Sequence, residues 1–318
     1  MGPQADEHLR VWTPGRAVDL AATLGPLRRG GGDPTFLTEP SGALWRGVRT
    51  PDGPGAERLA VRRDGAVEAR AFGDGAAWLL ETLPSLLGAD DDTWDDWDAR
   101  VRGSDVPSVV RSGWRSHPGW RMPRTLRVWE SFAPTVLEQK VTGQEARFAW
   151  RRLVRAYGTP APGPIDAMPT GLTVPPDPLT WQRIPSWEWH QARVGPERSR
   201  TLVSAAPRAA ALERTLALPF EAADRALQSL PGVGVWTSAE VRQRAYGDPD
   251  AVSVGDAHVG AQVVYALTGS MDGDDDQMLD LLAPWSGHRH RVVRMIELAG
   301  IARPRRGPRY AGLDHRTR

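Results

Sequence analysis

The chain has 318 residues, 40% of them hydrophobic and 25% charged, with a formal net charge of +1. That is the composition of a globular protein long enough for two or three domains, and it speaks against a disordered or polycationic chain. The absence of cysteine excludes disulfides, zinc–thiolate centres and iron–sulfur clusters.

The first sixteen residues lack the apolar core of a signal peptide, and no stretch reaches the roughly 18 apolar residues of a membrane helix. The expectation is a monomeric, cytoplasmic protein with no membrane partner. Charge is nevertheless uneven along the chain. Residues 89–98, ADDDTWDDWD, are acidic, and residues 287–318 carry nine arginines from Arg289 to Arg318. Lysine occurs once, at Lys140. An excess of Arg, Ala, Gly and Pro has the look of codon bias, so arginine abundance alone does not signal nucleic acid.

In chain order, residues 43–50 read as an extended run and 58–72 as a hairpin turning at Asp64–Gly65. Residues 76–88 have helical spacing. The prediction for 1–105 is an N-terminal α+β domain, an antiparallel sheet with one or two packed helices. From 106 to 300 the pattern is mostly α-helical. Residues 128–137 place Val128, Trp129, Phe132, Ala133, Val136 and Leu137 on one stripe, and 144–157 repeat the pattern. QKVTG (139–143) breaks the two helices, and the Pro-rich 160–185 reads as an ordered loop. Helical patterns resume at 197–215, 221–230, 235–246, 257–267 and 288–299. Residues 301–318 read as a basic C-terminal tail.

LPGVGVWTS (230–238) follows a helix that Pro231 cannot continue. Gly232 and Gly234 open backbone angles closed to other residues, and a new helix starts near Val235. The first N–H groups of that helix have no partner and suit an anion such as a phosphate. No Gly-Lys-Ser/Thr follows, so this is not a Walker loop. A plain helical corner packed in the core is the alternative. Twenty residues beyond Trp236 stands Asp256, ahead of another helix. On its own it reads as an N-cap.

Together the hairpin, the spacing and the phrase VGDAHV resemble the helix-hairpin-helix DNA glycosylases, in which the hairpin is followed by a Gly/Pro-rich loop and a catalytic Asp. HPGWRMPRTLRVWESFAPTVLEQKVTGQEARFAWRRLV (117–154), ERSRTLVSAA (197–206) and APWSGHRHRVVRMIE (283–297) look like helices of the bacterial 3-methyladenine DNA glycosylase II branch. The resemblance is firm from about 117 to 300 and loose before 105, where that branch has a TATA-binding-protein-like sheet. It implies two helical lobes around a cleft.

The resemblance further implies a monofunctional glycosylase of base excision repair, acting on alkylated purines (3-methyladenine, 7-methylguanine) in double-stranded DNA. Such an enzyme flips its target base from the stack. Asp256 would stabilise the oxocarbenium-like transition state and orient water. Gly232, Val233, Gly234 and Thr237 would grip the DNA backbone. Carbonyls of Gln228, Leu230 and Val233 would hold a sodium or potassium ion; no other cofactor is implied. Trp236 stands where bifunctional members carry a lysine, which implies no strand cleavage through a Schiff base. It lines the base pocket or packs in the core.

Lys140 falls at the position of an apolar wedge, with Gln139 and Val141 as alternatives and a solvated lysine as the plain reading. Two pocket aromatics of that branch are replaced by Glu240 and Ala257, which implies a roomier, more acidic pocket unless Glu240 is a surface residue. Trp120, Trp114 and Trp129 are further candidate pocket walls. Arginines near the hairpin and in 289–309 would contact phosphates and make binding salt-dependent. The rival readings are a non-catalytic, structure-specific DNA-binding protein and a glycosylase for another lesion: hypoxanthine, uracil or a bulky adduct.

Overall fold

The computed structural model describes residues 7–164 and 166–304. The N-terminal unit holds β1 (His8–Trp12), α1 (Leu20–Leu24), β2 (Phe36–Thr38), β3 (Leu44–Thr50), β4 (Gly53–Val61), β5 (Val67–Phe72) and α2 (Ala76–Leu86). The strands form one antiparallel sheet in the order β1-β5-β4-β3-β2. The β4–β5 hairpin turns at Asp64–Gly65, with Val61 opposite Val67 and Gly65 at φ +83°. Alternation in β5 explains its orientation: Val67, Ala69 and Ala71 are buried, whereas Glu68 and Arg70 are not. Leu83 and Leu86 of α2 pack with Leu44, Leu59 and Val67 of the sheet. Burial of each large aliphatic side chain contributes about 1.5–3 kcal/mol.

The helical part begins with α3 (Trp94–Val101), α4 (Ser108–Ser116), α5 (Val128–Glu138) and α6 (Gly143–Tyr157). A short pair, β6 (Thr159–Pro160) and β7 (Thr173–Val174), leads to α7 (Pro178–Arg183), α8 (Ser186–Gln191), α9 (Pro196–Ala205) and α10 (Ala209–Arg214). The rest is α11 (Phe220–Gln228), α12 (Val235–Val241), α13 (Val259–Thr268), α14 (Asp275–Leu282) and α15 (Arg289–Leu298). Thr142 and Glu145 form a reciprocal capping box that fixes where α6 starts.

These helices bury two separate cores. One joins residues of α5 through α11 and ends at Tyr246. The other joins α3, α4 and Trp120 to α13, α14 and α15. The second lobe is therefore made from two distant stretches of chain. A boundary at 105 cuts through it, because Trp94, Trp97 and Val101 of α3 pack with α15 rather than with the sheet.

Other departures have local causes. The segment at 197–215 is two helices, parted by a 3₁₀ turn with Pro207 in its first turn. The Pro-rich 160–185 contains the end of β6, all of β7 and α7, and Ala161, Leu172 and Val174 cover the sheet beside Trp45 and Phe72. After α12 the chain widens into a π-helical turn over Arg242–Tyr246. Among the described residues no helix is long and apolar enough to cross a membrane.

Candidate active site

The turn between α11 and α12 has the hairpin geometry. Gly232 has φ +83°, and a Cβ there would lie 2.2 Å from Thr201 Oγ1. Both the angle and the space demand glycine. Val233 donates its N–H to the Leu230 carbonyl at 3.1 Å. Asp224 locks the two helices together, accepting from Ser238 Oγ at 2.6 Å and from Gln228 Nε2 at 2.9 Å. Gly234 is the N-cap of α12 and no side chain caps it, so the first N–H groups of α12 remain open.

Three expectations change here. Gly234 is extended (φ −109°, ψ −174°), so its backbone does not require glycine, and a Cβ would meet nothing within 4 Å. The Val233 N–H is spent inside the turn. Thr237 is 2% exposed, and its hydroxyl accepts from Gln139 Nε2 at 2.8 Å, so its side chain braces the hairpin from within.

Gln139 also donates to the Gly232 carbonyl at 2.9 Å. Its amide is thus committed to bracing the hairpin, which removes it as a free wedge. Val141 is half-buried. Lys140 stands between them, exposed and at φ +51°, a strained angle for a residue with a side chain. Of the three wedge candidates, Lys140 is the one that projects.

Asp256 sits in the loop before α13. Oδ1 accepts the backbone N–H groups of His258 at 2.8 Å and Val259 at 3.1 Å, so the residue ties the loop to the start of α13, whose N-cap position is His258. Oδ2 accepts the indole N–H of Trp236 at 3.1 Å. His258 contributes through its backbone, and its side chain is exposed. Trp236 is therefore neither a plain core residue nor a pocket wall: it is half-buried and holds the carboxylate.

Asp256 borders a cavity of about 230 Å³ between the lobes, which Trp120, Glu240, Arg244 and His290 also line. Trp120 is 1% exposed and forms an apolar wall with Pro26, Pro123 and Val293. Trp129 lies in the first core, and Trp114 packs on Trp94, away from the cavity. Ala257 is exposed and does not line it.

Glu240 is not a surface residue. Burial opposes its ionisation, but Arg244, the Ser253 hydroxyl and Arg29 outweigh burial and hold its pKa below the usual carboxylate value. Arg244 Nη1 reaches Glu240 Oε2 at 2.7 Å. The acidic pocket expected from sequence is thus offset by a paired arginine. His290 is buried, and its pKa is driven well below the ordinary value by desolvation and by Arg294, Arg244 and Arg291. His290, Val293, Arg294 and Glu297 all face the cavity, at i, i+3, i+4 and i+7 of α15. That stripe was the available signal for residues that sequence reasoning missed.

The C-terminal arginines serve other ends. Arg289 pairs with Asp250, and Arg294 pairs with Glu297. Arg291, 0% exposed, reaches Asp91 at 2.5 Å, and His288 Nε2 lies 2.6 Å from Asp96. Arg303 donates to the Met271 carbonyl at 2.9 Å. The acidic stretch 89–98 and the start of α15 therefore hold each other, and each of these four arginines has a partner within the protein. Arg305, Arg306, Arg309, Arg316 and Arg318 lie outside the described residues. Beside the hairpin, Arg200 is exposed and shares a groove with Pro231 and Gly232.

A 3-methyladenine DNA glycosylase from Archaeoglobus fulgidus superposes over 92% of this chain and 98% of its own, with a TM-score of 0.71 and 15% identity. This is the fold of the helix-hairpin-helix DNA glycosylases. An 8-oxoguanine glycosylase/lyase of Clostridium acetobutylicum shares the helix-hairpin-helix glycosylase fold over 93% of this chain and 98% of its own, with a TM-score of 0.68 and 10% identity. In sequence, the chain is 32% identical over 143 residues to the probable bifunctional transcriptional activator/DNA repair enzyme AlkA of Mycobacterium tuberculosis. That match covers 44% of this chain and 27% of the relative, so the chain spans about a quarter of that protein's length. No family model matches the chain.

Proposed function

We propose that the chain is a DNA glycosylase of base excision repair that hydrolyses the N-glycosidic bond of alkylated purines in double-stranded DNA and leaves an abasic site. The observation that carries this reading is Asp256: a carboxylate held by Trp236 and two backbone N–H groups, at the rim of a cavity between two lobes. A flipped base enters the cavity and its sugar stays at the rim. As the glycosidic bond lengthens, positive charge grows on the sugar, and a carboxylate fixed beforehand offsets it at no reorganisation cost. Asp256 also orients the water that adds to the sugar.

The open N–H groups of α12 and the close approach allowed at Gly234 suit a DNA phosphate. Arg200 adds a cation beside it. Lys140 fills the gap left in the stack, its methylenes against bases and its ammonium toward the backbone. Among the described residues the Gln228 and Val233 carbonyls accept no hydrogen bond, and Leu230 accepts only that from Val233. These oxygens fit a monovalent cation, which would offset phosphate charge at the hairpin. Trp236 supplies no amine, so base removal proceeds without β-lyase chemistry. A monomer acting on damaged duplex DNA is the working unit.

A second reading, a glycosylase for a neutral lesion, is favoured by the polar cavity wall of Glu240, Arg244 and His290. The experiment is release of free bases from methylated duplex DNA, with Asp256→Asn beside the wild type. Release by wild type alone supports a glycosylase using Asp256. DNA binding without release of any base would leave the non-catalytic reading.

A further inference from the structure

His290 is 8% exposed, lines the cavity and makes no hydrogen bond among the described residues. Its ring nitrogens keep access to the cavity and stand free for a group placed there. Arg244 is in a similar position. Its Nε donates to the Pro26 carbonyl at 3.1 Å, and Nη1 donates to Glu240. Nη2 makes no hydrogen bond among the described residues, and Arg244 lines the same cavity. One buried and one half-buried polar side chain therefore line one cavity with unused hydrogen-bonding capacity, beside Asp256.

We infer that Arg244 and His290 are specificity-determining residues that read the 6-position edge of the flipped purine and favour 6-oxopurines over 6-aminopurines. The inference rests on the glycosylase reading above and narrows it. Guanidinium only donates, whereas a neutral imidazole carries one donor and one acceptor. A 6-oxo group accepts from Arg244 Nη2, and the N1–H beside it donates to the imidazole. A 6-amino group turned to Arg244 sets donor against donor. The imidazole could match either edge, but Arg244 turns a 6-amino group away, so the bond to His290 is made with a 6-oxopurine and strengthens the preference that Arg244 sets. Burial, then Arg294, Arg244 and Arg291, keep His290 neutral, and of these arginines Arg244 and Arg294 line the cavity.

The test is the ratio of two bases released in one digest of methylated duplex DNA, 7-methylguanine (6-oxo) and 3-methyladenine (6-amino), each expressed as enhancement over spontaneous loss. A hypoxanthine-containing duplex is run in parallel. The ratio does not depend on the fraction of folded enzyme. Wild type is expected to enhance 7-methylguanine and hypoxanthine release more than 3-methyladenine release. His290→Leu should lower the 6-oxo enhancements about tenfold and the 3-methyladenine enhancement less than about threefold, and His290→Asn should restore most of the preference. Greater enhancement of 3-methyladenine by wild type, or equal losses on both bases in His290→Leu, overturns the inference alone. No base released by wild type overturns the glycosylase reading and this inference with it.

Discussion

Trp236 donates its indole N–H to Oδ2 of Asp256 at 3.1 Å, across 20 residues of chain. The bond links the first turn of α12 to the loop before α13, and so fixes the carboxylate relative to the hairpin. Asn at 256 keeps an oxygen for the His258 and Val259 N–H groups but lacks the charge. Asp256→Asn should retain the wild-type melting temperature and lose at least about 10²-fold in single-turnover base release, a barrier increase of about 2.7 kcal/mol or more.

Trp236→Phe keeps a ring and removes the N–H. A hydrogen bond to a charged group contributes about 1.5–3 kcal/mol. Single-turnover rates should fall by about tenfold while affinity for undamaged duplex stays within about twofold. An unchanged rate would show that the backbone N–H groups alone hold Asp256.

The two hairpin glycines should separate. Gly232→Ala meets both a forbidden angle and Thr201, so it should lower the melting temperature and weaken duplex binding together. Gly234→Ala meets nothing within 4 Å. It should leave thermal stability intact yet weaken binding to undamaged duplex several-fold by fluorescence anisotropy, with a shallower salt dependence. Wild-type affinity in Gly234→Ala would place the phosphate elsewhere.

Much of this arrangement was legible in the sequence, and the exceptions share a cause. The hairpin, Asp256 and the β4–β5 turn are local: Pro231, Gly232 and Asp64–Gly65 dictate backbone angles to their neighbours. Trp120 and Glu240 line one cavity although 120 residues part them. Residues whose partners lie far along the chain were read less well. Asp91 lay in an acidic run without an assigned role, and Arg291 read as a phosphate contact, until the fold set them 2.5 Å apart in the second lobe. Gln139 and Thr237 each suited a DNA contact in isolation, yet they satisfy one another. His290 shares a helical stripe with Val293, Arg294 and Glu297, but the stripe alone does not say what it faces, which depends on Trp120 and Glu240 far away in the chain.

Lys140 at φ +51° keeps a side chain where glycine would be less strained. Relief of that angle should be worth about 1 kcal/mol. Lys140→Gly should therefore raise the melting temperature while lowering base release from duplex DNA, and should affect a single-stranded or mismatched target less, because less unstacking is needed there. A loss of stability in Lys140→Gly would mean that the lysine packs against the fold.

His290 also makes stability depend on pH. Burial, then Arg294, Arg244 and Arg291, hold its folded pKa well below the ordinary 6.5. Below pH 6.5 the unfolded state binds a proton that the folded state refuses, so unfolding gains as pH falls. The contribution of His290 is thus fully present above pH 6.5 and is lost below it, at about 1.4 kcal/mol per pH unit while the folded imidazole stays neutral. Leu cannot titrate. Melting curves of wild type and His290→Leu should run parallel from pH 7.5 to 7 and converge or cross toward pH 5, with the variant gaining relative to wild type. Taking the difference removes the shared contributions of Glu57 and Glu130, whose burial raises their pKa and acts in the opposite direction. A constant difference across that range would mean that the imidazole takes up a proton in the folded state, and the cations around it could not then be what keeps the cavity wall neutral.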